Sequence, residues 1–525
     1  MNLRLSALIL VAFGCGDAGT NTTEAGSSGS DSTGPTPTTG APGSSSSSSS
    51  SSISGGQTEG MTTGATDDTG LGPTTDAMSS SSSSSTTSST TSGDTSSGGT
   101  STSETGETST GDTTTGEAPG SCLEADFPVT APLCGDGGPA CVLLRDELVS
   151  GDKAFRNDMP AIALRGDCGP AVLYSVAVGD YFGFYGERTG PDAWAVEPTP
   201  MKVATMSLEA LPDVDEVLAA VDDGAFGVSV WRRSEGAWQQ HSALAGMNHT
   251  RAPQLVRDGM ERLLLGHIDA DNNMRLSTFD GGWSGQSLLT QTEIHVRIAL
   301  GPEDAPSLIG WSSEALTWQL RYLTPPDPPE LITNLGSNVL ERHHTALVRA
   351  GADATPWVLL PRKQADQQHH DVYLAHRTGV GIWELELVFA EDPAGDSECA
   401  FPPGQPGQMC DYDYSRVYTT TLLASADEVR ALYTVVRSKG TLVAECEAFP
   451  EPFCHWVPQT NESTAQLRVA WPGAAPDDHL VVAEDVFTDR ATGRLDTSGA
   501  MHLAFYDYGP AGGDPVVRYL RIGAD

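Results

Sequence analysis

The sequence predicts an all-β fold of the β-propeller type with seven repeated units, and three observations lead there. From Cys122 onward the chain reads as short runs of β-formers separated by Gly, Asp, Asn and Pro, without a long segment of helical period. The phrases "DAW", "GAW" and "GGW" end at Trp194, Trp238 and Trp283, which lie 44 and 45 residues apart, and "GIW" follows at Trp383, 100 residues on. A self-similar period of about 40 to 50 residues marks a propeller.

Each of these tryptophans closes a strand, turn, strand pattern, as in "GVSVWRRSEGAW", "MRLSTFDGGW" and "DVYLAHRTGVGIW". That is the expected third strand, turn and fourth strand of a blade, where an aromatic packs between neighbours. The double gap before Trp383 implies one copy without its tryptophan. "CHW" at Trp456, 73 residues later, reads as the closing phrase of a unit lengthened by an insertion between Cys399 and Cys410. The last unit, from "GRLDTSGAMHLAFYDY" onward, stops before a closing strand. The spare run "ACVLLRDELV", Ala140 to Val149, is expected to supply it and so close the ring without exposed edges. Units counted from about residues 155, 201, 249, 293, 337, 413 and 478 number seven, and the soft boundaries also admit six or eight.

Ahead of this part the chain is of a different kind. Met1 to Gly14 carries Arg4 and then "LSALILVAFG", an export signal whose small last residue is followed directly by Cys15. This junction resembles the lipobox of bacterial lipoproteins, although Ala12 and Phe13 depart from the usual residues. The resemblance implies that Cys15 becomes the lipidated first residue of the mature protein. Gly16 to Gly120 is Ser, Thr, Gly and Pro with 12 acidic residues and no basic one. It has too little apolar surface to offset the entropy of ordering, so residues 15–120 are expected to be a disordered tether with a mean reach of about 55 to 60 Å. Such tethers behind a lipobox-like cysteine resemble those of myxobacterial surface lipoproteins. Three regions follow: a signal peptide at 1–14, the tether at 15–120 and the folded part at 121–525.

Of nine cysteines, setting Cys15 aside leaves Cys122, Cys134, Cys141, Cys168, Cys399, Cys410, Cys446 and Cys454. Four lie near the start of the folded part and four in one later stretch, as expected for local disulfides in an oxidising compartment. Cys399 with Cys410 and Cys446 with Cys454 each bracket a Pro-containing excursion and are the expected pairs. The other four are left unpaired by the sequence. Zinc is the rival reading, but no C-x-x-C occurs.

Two sets of residues stand out as candidate sites. "DADNNMRLSTFD" places Asp269, Asp271, Asn273 and Asp280 at positions 1, 3, 5 and 12 of a calcium loop, with Met274 where the turn glycine belongs. A polar hairpin turn explains the same residues. "CDYDYSRVY" sets Asp411 and Asp413 among Tyr412, Tyr414 and Tyr418, a carbohydrate-like surface because tyrosine faces stack on sugar rings. The rim of a disulfide-anchored loop accounts for it equally. The pairs His343 and His344, and His369 and His370, could lend one histidine each to a metal together with Glu341 or Asp371, or could be solvated loop residues.

The charge excludes one class of partner. Against 29 Lys and Arg stand 69 Asp and Glu, a net charge of −40 that repels phosphate backbones, so nucleic acid is not expected. G-x-S-x-G, H-E-x-x-H, a P-loop and a G-x-G-x-x-G that follows a strand are all absent, which leans the reading away from an enzyme. "DTSGAMHLAFYDYGPAGGDPVVRYLRI", Asp496 to Ile522, resembles the repeat of sialidase-like and lectin-like propellers of secreted bacterial proteins. The resemblance implies a fold and no reaction; an Asp box is missing, "STFDGGW" being the nearest phrase. The expected function is a lipid-anchored propeller at the bacterial cell envelope, on the outer membrane, that binds an extracellular polysaccharide or an envelope protein. A glycoside hydrolase or polysaccharide lyase, and a spacer without ligand, are the alternatives. A Cys15→Ser variant is expected to lose incorporation of labelled fatty acid and to leave the membrane fraction of cells, whereas unchanged labelling would refute the lipid assignment.

Overall fold

The computed structural model describes residues 131–524, apart from 151–158, 167–168, 179, 212–215, 224–226, 244–252, 291, 315–316, 337–344, 352, 365–369, 392–398, 400–402, 404, 448–452 and 511–513. The export signal, Cys15, the tether, Cys122, Cys168, His343, His344, His369 and Glu341 lie outside the described residues. Strand β1 (Cys141–Ser150) comes first. The first sheet then holds β2 (Ala161–Leu164), β3 (Pro170–Val178), β4 (Asp180–Gly190) and β5 (Ala193–Lys202). The second holds β6 (Thr205–Leu211), β7 (Glu216–Asp222), β8 (Val228–Ser234) and β9 (Ala237–Ala243). The third holds β10 (Gln254–Arg257), β11 (Leu263–Ile268), β12 (Met274–Phe279) and β13 (Trp283–Leu289). The fourth holds β14 (Thr292–Leu300), β15 (Pro306–Glu314), β16 (Thr317–Leu323) and β17 (Glu330–Gly336). The fifth holds β18 (Ala346–Ala350), β19 (Thr355–Lys363), β20 (His370–Gly379) and β21 (Ile382–Ala390). The sixth holds β22 (Met409–Ala424), β23 (Val429–Glu447), β24 (Phe453–Ala470) and β25 (Leu480–Glu484). The seventh is β26 (Ala491–Leu495), β27 (Met501–Asp507), β28 (Val516–Ala524) and, on its outside, β1.

All pairings are antiparallel and each sheet is an up-and-down meander, the seventh excepted, where β1 pairs with β28 from the far end of the chain. First strands touch in unbroken order, β2 with β6, β6 with β10, and so on to β22 with β26, and β26 touches β2 again. The arrangement is therefore all-β and propeller-like. Among the described residues there is no α-helix, and no helix is long and apolar enough to cross a membrane.

The sequence pattern follows from this stacking. Second strands are covered on both faces, so β7 (EVLAAVD), β11 (LLLGHI) and β27 (MHLAFYD) are buried at every position and read as near-continuous apolar runs. Outer fourth strands such as β5 are largely exposed, with half-buried positions recurring where side chains turn toward a neighbouring sheet. Seven clusters of buried side chains lie one at each sheet-to-sheet junction: Val217, Ala219 and Val221 meet the first sheet, and Leu467, Val469 and Leu432 meet the seventh.

The recurring tryptophans lie near the start of fourth strands and reach back to the preceding sheet. Trp194 packs edge-on against Tyr519, Trp238 against Tyr185 and Trp383 against Tyr322, each tyrosine sitting on a third strand, while the Trp283 indole donates to Ser242 Oγ. The fourth sheet closes with β17 and lacks the tryptophan, as the double gap implies. Trp456 is a correction: it sits on β24, a third strand, opposite Ala444, because the insertion lengthens the strands themselves instead of the closing loop.

Closure rests on β1. Glu147 is buried on it and accepts from Arg188 Nε and Nη2 at 2.8 Å, from the Trp194 indole at 3.0 Å and from the Asp192 amide. Burial works against its ionisation, and these donors outweigh it, so the carboxyl is held below its usual range. Analogous ion pairs, from a third-strand arginine to the preceding fourth strand, join Arg233 to Glu197 and Arg377 to Glu330. First strands begin at the upper end of the sheets and second strands at the lower end. At the lower end, residues 133–135 run across the sixth and seventh sheets: Arg430, fully buried, donates to the Cys134 and Leu133 carbonyls, and Glu428 accepts the Leu133 amide at 2.6 Å. The Cys134–Cys141 disulfide ties this segment to β1. Glu147→Ala removes a buried acceptor shared by several half-buried donors and is expected to cost about 2 kcal/mol in urea unfolding; a loss below about 0.5 kcal/mol would show that closure does not depend on it.

Candidate functional site

The sixth sheet departs from the others. Its first three strands run 16, 19 and 18 residues, whereas β25 pairs only with Gln466 to Val469. Residues 409–416, 437–447 and 453–464 therefore project from the upper end as a three-stranded arm. Such a ribbon has little core of its own, and two disulfides compensate. Cys446 lies directly opposite Cys454 across β23 and β24, and Cys399 is bonded to Cys410 at the start of β22, toward the outer end of the arm. Both are the expected pairs, and loops this short contribute about 2 to 3 kcal/mol each in the chain-entropy account.

Strand alternation gives the arm two different faces. One carries Tyr412, Tyr414 and Arg416, then Gly440 and Ser438, then Asn461 and Ser463 across the three strands. Tyr412 reaches over Gly440 so that its hydroxyl donates to Asn461 Oδ1 at 2.9 Å. A Cβ on Gly440 would stand 2.9 Å from that hydroxyl and 2.1 Å from the Thr460 carbonyl oxygen. Glycine is what lets the ring cross the sheet. The Tyr414 ring lies 5.7 Å from it, tilted 31°, and the Arg416 guanidinium sits 4.8 Å from the Tyr414 centroid. The other face is charged and internally paired: Arg437 donates to both oxygens of Asp413 at 2.9 and 2.7 Å, Lys439 meets Glu462 at 2.8 Å, and Asp411 accepts from Thr441 Oγ1 at 2.6 Å. The hydrogen bond from Arg437 holds the Asp413 carboxyl below its ordinary value. The predicted cluster is thus split, its tyrosines on one face and its aspartates on the other.

Arg416 links the aromatic row to the body. Its Nη1 lies 3.7 Å from Glu391, which follows β21 and is only 2 % exposed. One Glu391 oxygen accepts the Val417 amide and the other the His370 amide, so this carboxyl bridges the fifth and sixth sheets. Gln364 Nε2 donates at 2.8 Å both to the Glu391 carbonyl and to Asp371, which also accepts from Tyr373. Burial raises Glu391 to about 7, against the lowering effect of the two backbone donors and Arg416. Glu391, Gly440 and Asn461 stand outside "CDYDYSRVY", and only the register of the sheets brings them to its tyrosines and Arg416. Of the histidine pairs, His370 lies here and is buried.

The calcium-loop residues are divided by a strand. Asp269 Oδ1 accepts the amides of Asp271 and Asn273 and so holds the upper turn between β11 and β12, while Arg275 lies 3.5 Å from its other oxygen. Asp280 is at the lower end, beyond the six residues of β12 and about 20 Å away. Asp258 and Asp496 hold lower turns in the same way, accepting amides two and four residues ahead. In the resembled repeat, Asp496 also meets His502 at 3.1 Å and Arg521 at 2.9 Å, and His502 Nδ1 faces the Tyr519 hydroxyl at 2.8 Å. That network is buried, so its motif residues shape a corner of the seventh sheet. Among the described residues no three His, Cys, Asp or Glu side chains converge to hold a metal ion.

No protein-family model and no curated protein sequence matches the chain. Solved structures similar to it include the polysaccharide lyase Uly1, with 8% identity over 72% of this chain and 90% of that one at a TM-score of 0.41. AofleA from Arthrobotrys oligospora, at 11% identity, matches over 65% and 97% with a TM-score of 0.34. The lectin SapL1, in complex with alpha methyl fucoside, matches at 10% identity over 57% and 100% with a TM-score of 0.36.

Glu391 yields a pH prediction. Between the ordinary carboxylate value of 4.5 and about 7, the unfolded chain is ionised while the folded one keeps its proton, so the group's contribution to stability falls as pH rises through that window. Glu391→Gln cannot ionise, and the wild-type stability measured relative to this variant is expected to drop by about 2 to 3 kcal/mol between pH 5 and pH 8. Denaturant titrations at the two pH values check it, and a constant difference would refute it.

Proposed function

We propose that the protein is a seven-bladed β-propeller, held at the bacterial cell envelope through a lipid on Cys15 and the tether behind it, which binds an extracellular glycan on its upper arm. Tyr412 and Tyr414 carry this reading. Their rings lie on one face of a disulfide-braced ribbon, at a spacing comparable with the repeat of a pyranose chain, beside Asn461, Ser463 and Ser438 as hydrogen-bonding groups. Flat aromatic faces flanked by amides and hydroxyls suit sugar rings, which present apolar C–H faces and polar rims. The closed cycle of seven sheets supports the blade number, and three disulfides suit an oxidising compartment outside the cytoplasm.

A glycoside hydrolase or polysaccharide lyase is the second reading, and Glu391 favours it, since a carboxyl that titrates near neutrality is in the range for proton transfer. Both its oxygens are already engaged by backbone amides of two sheets, which supports a bridging role instead. A glycan array followed by affinity electrophoresis on the polymers it returns separates these readings. Tyr412→Ala and Tyr414→Ala are each expected to weaken retention about tenfold or more without lowering the melting temperature. Release of chain ends from any retained polymer, abolished by Glu391→Gln, would replace binding with catalysis.

A further inference from the structure

We infer that the ligand is an uncharged linear polysaccharide, laid along β22 so that consecutive sugar rings meet Tyr412 and Tyr414; this rests on the glycan-binding reading above. The first support is the charge pairing of the arm. Two of its three cations lie on the opposite face, each paired with a carboxylate, Arg437 with Asp413 and Lys439 with Glu462, and the third, Arg416, is stacked on the Tyr414 ring. Asp411 and Glu445 add further negative charge, within a chain of net charge −40. A uronate or sulfate-bearing polymer on the aromatic face would have to draw Arg416 off the Tyr414 ring and approach against the field of the whole protein. An uncharged polymer meets neither cost.

The second support is the composition of the aromatic face. Tyr412, Tyr414, Ser438, Asn461 and Ser463 are all neutral, the charge of Arg416 stands at one end of their row, and Gly440 removes the one side chain that would stand beneath the Tyr412 ring. Residues two apart on a strand share a face and lie about 6 to 7 Å apart along it, so the row Tyr412, Tyr414, Arg416 runs parallel to β22. Two successive rings offer stacking to two successive sugars, which favours a chain over a single terminal residue. The hydroxyl of Tyr412 is already turned to Asn461, so its ring orientation is set before a ligand arrives.

Affinity electrophoresis of the protein in gels holding a linear β-glucan, a linear mannan, polygalacturonate or a sulfated galactan tests this. Retention is expected on one or both neutral polymers, with affinity changing less than twofold between about 50 and 500 mM NaCl. Tyr412→Phe, which keeps the ring, is expected to retain binding, and Tyr412→Ala to lose about tenfold or more. Retention on the uronate or sulfated polymer alone, with loss in salt and in Arg416→Gln, would overturn the inference while leaving glycan binding intact. No retention on any of the four, together with an empty glycan array, would overturn both.

Discussion

The structure depends on packing between the faces of neighbouring sheets around a closed cycle. Each four-stranded sheet alone would leave its second strand bare on both sides, and strands such as β7 and β27, buried at every position, have no polar face to turn to water. A sheet is therefore stable only between two others, and the seventh only if the first returns to meet it. Pairing of β1 with β28 secures that return, because it adds the outer strand of the last sheet from the chain segment that leads into the first. Glu147 strengthens the same seam by gathering Arg188, Asp192 and Trp194 of the first sheet onto β1.

A cycle of this kind tolerates insertion in one direction. Lengthening a strand within the junctions would disturb two neighbours, whereas extending three adjacent strands of one sheet beyond the upper end disturbs none. The sixth sheet is extended in this way, and the register of β22, β23 and β24 continues from the body into the arm with bulges between Thr419 and Thr421 and between Thr441 and Leu442. The aromatic row thus sits on regular, hydrogen-bonded strands, whose side chains are positioned more closely than those of a loop.

The legible part of the fold was what repeats locally. Tryptophan spacing located the fourth strands, the unfinished last unit located β1, and two short cysteine intervals located their disulfides. Trp456 misled because the phrase "CHW" looks the same on a third strand as on a fourth; only pairing with Ala444 distinguishes them. The site was half legible: "CDYDYSRVY" displays the tyrosines, but not that Asp411 and Asp413 face away, nor that Glu391 and Asn461 stand nearby. Those relations span 20 to 50 residues and are fixed by strand register, which a one-residue slip would reverse. The aspartate turns show the opposite difficulty, since Asp269 resembles a metal ligand by spacing while its carboxylate is occupied by the backbone it folds.

One strand connects the two ends of the molecule. Near the start of β23, Arg430 grips the carbonyls of Leu133 and Cys134, where the N-terminal chain joins the body; further along the same strand, Gly440 underlies Tyr412. A protein restrained through its N-terminal chain while the arm holds a fixed polymer would carry tension along this strand. The interstrand bonds to β22 and β24 would then be loaded in shear, all sharing the force, instead of being peeled apart one at a time from an edge. The sixth sheet is in that sense the molecule's mechanical axis, and the disulfides at the arm and at Cys134–Cys141 lie close to its two ends.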